Sequence, residues 1–319
     1  MIEAPFWHPA QTAAFLLDWD GVLAETSLDF GPIRDRYFGG RRVPLLEAAG
    51  HLPEAERRAF HRDIEALEIE GARQATLVPG ADELIRWLNE KDLPWAVVSR
   101  NFRGAIEEAA SRVGLSLPPV TLSRDSGPVK PDPEALWLAS RRLGAEPKDC
   151  VFVGDFFYDL VGARRAGMRA VLVQRVETDW LEWADVAYPA LTDLVDSLLE
   201  PEPLVPWEYR DLVRERGRRW LEKAWSVTVP LSGDDPSLDR RALEVAALGV
   251  GRLMVPEGAT MTVSQWRSCS SWEPLWMGQD LLRALRHLLG GRYPFLEVLP
   301  GDADRFGDDG AFLLGAIRP

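Results

Sequence analysis

Short apolar runs alternate with longer stretches of helical periodicity through the first two hundred residues. Five runs read as buried strands: AAFLL (13–17), PWAVVS (94–99), VTLS (120–123), CVFVG (150–154) and RAVLVQ (169–174). Strands separated by helical patterns predict an α/β fold, a doubly wound parallel sheet with helices on its faces. In such a sheet the carboxyl ends of the strands face one crevice. The polar clusters Asp18-Trp19-Asp20-Gly21, Ser99-Arg100-Asn101 and Gly154-Asp155 through Asp159 follow three of these runs, so they are expected to converge there.

The stretch from Ala24 to about 77 interrupts the alternation. It is rich in charge and helix formers and contains no convincing strand. Phe60, Ile64 and Leu67 recur at helical spacing within it, and Pro79 and Gly80 open the helix that resumes the sheet pattern. We read it as a helical cap inserted at about 24–77, directly after a candidate catalytic loop and so over the crevice. Leu199 to Pro206 holds three prolines in eight residues and reads as a linker, which ends the first domain at about residue 200. Residues 201–319 predict a mixed α/β domain. Its elements are a basic helix (Trp207 to Ala224), a strand (WSVTVPL), a helix (DRRALEVAALGV), a strand (TMTVSQWR), a helix (DLLRALRHLL) and two closing strands (FLEVLP and AFLLGAI).

A length of 319 residues suits two domains, or one with an insertion. No apolar stretch is long enough to span a membrane, and the first twenty residues lack a basic segment before their apolar run, so a cytoplasmic protein is expected. Cys150 and Cys269 lie far apart and predict neither a disulfide nor a zinc site. The net charge of −13 argues against a nucleic-acid partner. Residues 201–319 carry 15 basic and 17 acidic side chains, so most of that charge belongs to the first domain.

Two carboxylates at positions i and i+2, where the chain leaves a strand, suit a nucleophile and a general acid/base, although Asp-x-Asp-Gly alone reads equally as a solvated turn. The other clusters shift the balance. Ser99, Arg100 and Asn101 end the second run, Lys130 precedes a helix in VKPDPE, and Gly154, Asp155 and Asp159 follow CVFVG. Lys130 can neutralise a phosphate and Ser99 can hydrogen-bond it, while Asp155 can hold a divalent ion against Asp18; together these meet the needs of phosphoryl transfer. A hard cation is required, because otherwise an anionic carboxylate would attack an anionic phosphate.

DWDGVLAET, VVSRN, VKPDPEALWLASRRLG and VFVGDFFYDLVGARRAGMRAVLV resemble the four ordered motifs of the haloacid dehalogenase-like hydrolase superfamily. The resemblance covers about residues 13–198, and the helical insertion is similar to the branch that includes phosphoglycolate phosphatases and beta-phosphoglucomutases. It implies a phosphoaspartate at Asp18, with Asp20 protonating the leaving oxygen and then activating water. It also implies Mg2+ held by Asp18, Asp155 and the Asp20 carbonyl, with Asp159 and Gly154 in support, and Ser99, Arg100, Asn101 and Lys130 at the phosphate. The expected substrate is a small phosphorylated metabolite. A phosphatase is favoured over a dehalogenase because an acid stands at Asp20. A phosphomutase, or a core serving a binding function of the second domain, are the alternatives. Phe156 departs from the small polar residue that many relatives carry there.

Other chemistry-bearing residues take simpler readings. Arg34, Asp35, His51 and His61 in the insertion read as a solvated helix face and are left out of the site. Cys269 has no histidine nearby in sequence. The tryptophans and arginines of the second domain are interleaved with Glu208, Asp211, Glu215 and Glu222, which favours an ion-paired helix with buried tryptophan over a nucleic-acid surface.

Overall fold

The strand β1 (Ala14–Leu17) has no polar side: all four residues are fully buried, which requires cover on both faces of a sheet. The computed structural model describes residues 2–268, 272 and 274–301 and divides the chain into two units. The first is Thr12–Glu200. After β1 it runs through β2 (Ala24–Glu25), α1 (Gly31–Phe38), α2 (Leu45–Ala49), α3 (Glu54–Arg73) and β3 (Thr76–Leu77). It continues through α4 (Ala81–Glu90), β4 (Trp95–Val98), α5 (Arg103–Val113), β5 (Thr121–Leu122), α6 (Glu134–Leu143) and β6 (Cys150–Gly154). It closes with α7 (Phe157–Ala166), β7 (Arg169–Val173), β8 (Val186–Tyr188) and α8 (Leu191–Leu199).

Six strands form one parallel sheet in the order β5-β4-β1-β6-β7-β8. Leu16 lies opposite Ala96 of β4 and Phe152 of β6. All three belong to one apolar layer with Leu136 and Ala139 of α6 and Leu160 and Ala163 of α7. On the other face Phe15 meets Trp87 of α4 edge to face at 5.9 Å. Because the chain departs from β1 in both directions across the sheet, the carboxyl end of β1 lies at the switch point where such folds place a ligand.

The five predicted strands are all present, and a sixth, β8, was not anticipated. Its three residues are only half-buried and form no apolar run. It is anchored instead by Asp185, whose buried carboxylate accepts from the Arg169 guanidinium at 2.9 Å and from the Ala170 amide at 2.7 Å. The insertion is also not wholly helical: β2 and β3 pair antiparallel at its two ends, with Ala24 opposite Leu77 and Glu25 opposite Thr76. Between them, α1, α2 and α3 enclose a small core in which Phe60 takes Tyr37 and Phe38 edge-on at 5.5 and 5.8 Å. The helix α3 packs along α5 of the core.

The second unit comprises Pro201–Pro319 together with Met1–Gln11. The first residues join it through paired backbone hydrogen bonds between Trp7 and Leu204 at 2.9 and 3.2 Å. Its elements are α9 (Arg210–Arg216), α10 (Arg218–Trp225), β9 (Thr228–Pro230), α11 (Leu238–Ala247), β10 (Arg252–Val255), α12 (Val263–Ser268), α13 (Leu281–Gly290) and β11 (Glu297–Pro300). The strands β9, β10 and β11 form a parallel three-stranded sheet in that order. Two expectations fail here. The stretch TMTVSQWR is not a strand, because Thr262 and Gln265 cap each other's amides at 3.2 and 2.9 Å and start α12, a Thr-x-x-Gln box. The middle strand is instead β10, four residues too few to stand out beside α11. The basic helix is broken at Gly217 into α9 and α10, with the Trp220 indole donating to the Leu248 carbonyl and Arg216 over its ring. AFLLGAI and Cys269 lie outside the described residues. Among the described residues no helix is long and apolar enough to cross a membrane.

Leu16→Ala removes a fully buried side chain from the middle of the sheet. Urea unfolding should show a loss of about 3–5 kcal/mol; a loss below about 1 kcal/mol would contradict cover on both faces.

Candidate active site

Asp18 leaves β1 with its amide bonded to the Val153 carbonyl of β6 at 2.9 Å, which fixes the loop to the sheet. The next residues fold tightly back: the Leu23 and Ala24 amides donate to the Trp19 carbonyl, and the Gly21 amide donates to the Ala24 carbonyl. Gly21 has φ of 70°, and a Cβ there would lie 2.3 Å from Asp155 Oδ2. Only glycine lets this turn come so close to the loop after β6. Gly154 is required for the same reason on that loop, since its Cβ would lie 2.3 Å from that of Asp159.

These close approaches gather the predicted acids around one buried cation. Lys130 is 1% exposed, and its Nζ lies 2.7 Å from Asp18 Oδ1 and 2.8 Å from Asp159 Oδ1. Burial disfavours the Lys130 ammonium, but Asp159 and Asp18 outweigh it and hold its pKa above the ordinary value. The other Asp159 oxygen accepts from the Phe156 amide at 3.0 Å and so closes the first turn of α7. Burial first, and then the charge of Asp159, push Asp18 well above the usual carboxylate range. Asp155, which accepts from Arg175 Nε at 2.9 Å, is pushed by burial to about 7.

Asp20 is held separately. Its two oxygens accept from the Thr26 hydroxyl and the Asn101 amide, and burial raises its carboxyl to about 6 against those two donors. The Ser99 hydroxyl accepts from the Asn101 amide at 3.1 Å. Arg100 turns toward the cap: it donates to the Lys130 carbonyl and to Glu47 of α2 at 2.9 Å, with its guanidinium 4.4 Å from the Tyr158 ring centre. All the predicted residues are thus within one constellation at the strand ends. Lys130 and Gly154 stand behind it, and the others line a cavity of about 480 Å3. A larger depression of about 740 Å3 at the amino ends of β4 and β5 has no acid in its lining, which includes Pro94, Trp95, Pro118 and Pro119.

The cavity also contains residues that the sequence reading missed or set aside. Thr26 lies inside the quoted DWDGVLAET motif but is not an acid, and Arg175 sits two residues past β7 with no motif to mark it. Arg34 was read as solvated, yet it lines the cavity with Val43, Leu45, Leu46 and Ile64 of the cap. Asp35, His51 and His61 are not part of that lining. Phe156 lines it too, against Tyr158 and Trp180 at 5.4 and 5.8 Å. The thiol of Cys150 is buried at the far end of β6, where burial pushes it up to about 12 and makes it inert.

Glu68 of α3 ties the cap to the core. Its carboxylate meets Arg124 at 2.6 Å, with both side chains under 10% exposed, and accepts from the Phe102 amide at 3.2 Å. Burial raises it from an ordinary 4.5 to about 7, against the pull of Arg124. A carboxyl raised on folding stabilises fully below its unfolded pKa, and that contribution is lost as pH rises through the folded value. The window here is about 4.5 to 7, and the size is about 3 kcal/mol at most. Glu68→Gln keeps the uncharged form throughout. Thermal melts across this window should therefore show the native protein losing Tm relative to the variant as pH rises, and a constant difference would refute the assignment.

The constellation has parallels among known proteins. Residues 12–167 match the profile of the haloacid dehalogenase-like hydrolases. An N-acetylmuramic acid 6-phosphate phosphatase of Pseudomonas aeruginosa is 27% identical over 216 residues, covering 58% of this chain and 94% of its own. A phosphoglycolate phosphatase of Xanthomonas campestris is 27% identical over 219 residues, covering 60% and 98%. The crystal structure of a hydrolase from Pseudomonas syringae superposes with a TM-score of 0.50 at 20% identity, over 59% of this chain and 99% of that one, a likeness of fold. The Thr12–Glu200 unit thus matches the haloacid dehalogenase-like hydrolases in sequence profile over residues 12–167 and is similar to one of them in fold.

Proposed function

We propose that the Thr12–Glu200 unit is a Mg2+-dependent phosphatase that hydrolyses a small phosphorylated metabolite through an aspartyl-phosphate on Asp18. The observation that carries this reading is the imbalance of charge at the strand ends. Asp18, Asp155 and Asp159 crowd around one buried cation, Lys130, and one half-exposed cation, Arg175, and Asp20 lines the same cavity. Carboxylate oxygens of Asp18, Asp155 and Asp159 lie within 4.8 Å of one another. Hard oxygen donors so crowded, with two carboxyls raised by burial, fit a small divalent cation. Asp18, Asp155 and the Asp20 carbonyl would hold Mg2+, which when bound neutralises the charge between the attacking carboxylate and the phosphoryl oxygens.

The chain's own residues supply the rest. Asp18 is fixed for attack by its amide bond to β6 and by Lys130, which also removes part of its charge. Ser99 and Asn101, which line the same cavity, supply hydrogen-bond donors for the phosphoryl oxygens. Asp20 carries the proton, because burial to about 6 leaves a protonated fraction near neutrality that can pass to an alkoxide leaving group. Its anion then takes a proton from the water that attacks the phosphoaspartate. Asp159 works indirectly, orienting Lys130 and the start of α7. The relatives named above are an N-acetylmuramic acid 6-phosphate phosphatase and a phosphoglycolate phosphatase, and this supports a small phosphorylated metabolite as substrate.

Phosphate release from a panel of phosphorylated metabolites, with MgCl2 and with chelator, tests the reading. Asp18→Asn should lower release by about a thousandfold or more. Asp20→Asn should lower it about 10²–10⁴-fold for alkyl phosphates, whereas the first-turnover burst of p-nitrophenolate from p-nitrophenyl phosphate, whose leaving group needs no proton, should be lowered far less. Release that survives both chelation and Asp18→Asn would sink the mechanism. Isomer formation without phosphate release would replace it with phosphoryl transfer to a sugar hydroxyl, as in a phosphomutase.

A further inference from the structure

Every charged side chain lining the cavity has a partner within the protein, with one exception. Among the cations, Arg100 is bound to Glu47 and the Lys130 carbonyl, and Arg175 to Asp155. Among the acids of the rim and cap, Glu25 accepts from the Ser27 amide and hydroxyl, Asp29 from the Gly31 amide, and Glu68 from Arg124. Arg34, on α1 of the cap, makes no ion pair among the described residues. Its Nε is buried without a hydrogen-bond partner, and the guanidinium carbon lies 5.9 Å from the Phe30 ring centre.

Buried N–H groups are almost always satisfied, so an orphaned one on a cavity wall points to an acceptor that arrives with a ligand. The guanidinium sits by the Phe30 ring and shares this part of the cavity lining with Val43, Leu45 and Leu46, and beside apolar side chains a charged donor prefers an anion to a neutral hydroxyl. On the phosphatase reading the phosphoryl group is taken up by Asp18, Ser99 and Asn101 at the strand ends of the core, so Arg34, on α1 of the cap, is left for a different part of the substrate. We propose that Arg34 is a specificity-determining residue that binds a second anionic group, a carboxylate or a second phosphate, on the end of the ester remote from the reacting phosphorus. This rests on the phosphatase reading and narrows its substrates from any small phosphate ester to doubly anionic ones.

Two pairs of esters test it. 3-Phosphoglycerate and glycerol 3-phosphate share a three-carbon body and differ in a carboxylate against a hydroxymethyl group. Fructose 1,6-bisphosphate and fructose 6-phosphate differ in the second phosphate. In one pair, kcat/KM of the native protein should favour the more anionic member about tenfold or more, the size of one charge-assisted hydrogen bond. The pair that shows it identifies the anion. Arg34→Met should erase that ratio mainly through KM, and Arg34→Lys should restore part of it, which damage to the fold would not do. Equal kcat/KM within both pairs for the native protein, or a ratio unchanged in Arg34→Met, overturns the inference. If no ester releases phosphate, the phosphatase reading has failed and calorimetric titration decides the anion site alone. Tighter binding of the more anionic member of either pair, in the native protein and not in Arg34→Met, supports the site; equal affinities within both pairs reject it.

Discussion

The ammonium of Lys130 is the contact on which the site depends. It is 1% exposed, lies 4.9 Å from the ring centre of Phe152 in the sheet, and meets two carboxylates at 2.7 and 2.8 Å. A buried charge is tolerable only when it is paired, and removing one partner of such a group costs about 3–5 kcal/mol. The partners come from distant points in the chain: Asp18 from the end of β1, Asp159 from the first turn of α7, Lys130 from the loop before α6. One electrostatic requirement therefore fixes three segments of the Thr12–Glu200 unit against each other. The same requirement sets the chemistry, since the lysine that holds Asp18 in place also lowers the cost of its negative charge.

Around that centre the acids exceed the cations, and the excess is maintained by packing rather than by solvent. Gly21 and Gly154 permit approaches of 2.3 Å for a hypothetical Cβ, distances that no other residue could accept. The carboxylates are in this way pressed together at the carboxyl ends of β1 and β6, where burial raises Asp18, Asp20 and Asp155 alike. Like charges crowded in a buried place repel each other, and a bound cation relieves that repulsion.

How much of this could be read in the sequence follows the physics of each part. The two-sided strands announce themselves as continuous apolar runs, and the acids of the site follow those runs directly, so both were legible. The strand β8 was not, because its place depends on a buried pair between Arg169 and Asp185 sixteen residues apart. In the second unit, Thr262 and Gln265 carried a capping signature that a run of β-branched residues masked, and the four residues of β10, just past the expected helix DRRALEVAALGV, were too few to read as a strand. Thr26, Arg175 and Glu68 were missed because they act on the site by hydrogen bond or ion pair from positions that no motif marks. Arg34 was set aside because a charged residue on a helical pattern is usually solvated. Only the packing of α1 against the rest of the cap shows which of these charges faces inward.

The cap and the core thus encode different things in different ways. The core reads as ordered motifs because its chemistry requires particular atoms at strand ends, and strand ends follow chain order. The cap is held to the core by two ties of unequal strength. Glu68 and Arg124 form a buried pair under 10% exposed, whereas the Glu47 carboxylate on Arg100 is 45% exposed, in the range where an ion pair is worth at most about 1 kcal/mol. The first tie fixes where α3 meets the core, and the second is a surface contact that the fold does not need. Arg34 and Leu45 line the cavity from the cap. The acids at the strand ends were therefore legible from spacing, whereas Arg34 and the cap side chains that line the cavity take their place only in the fold.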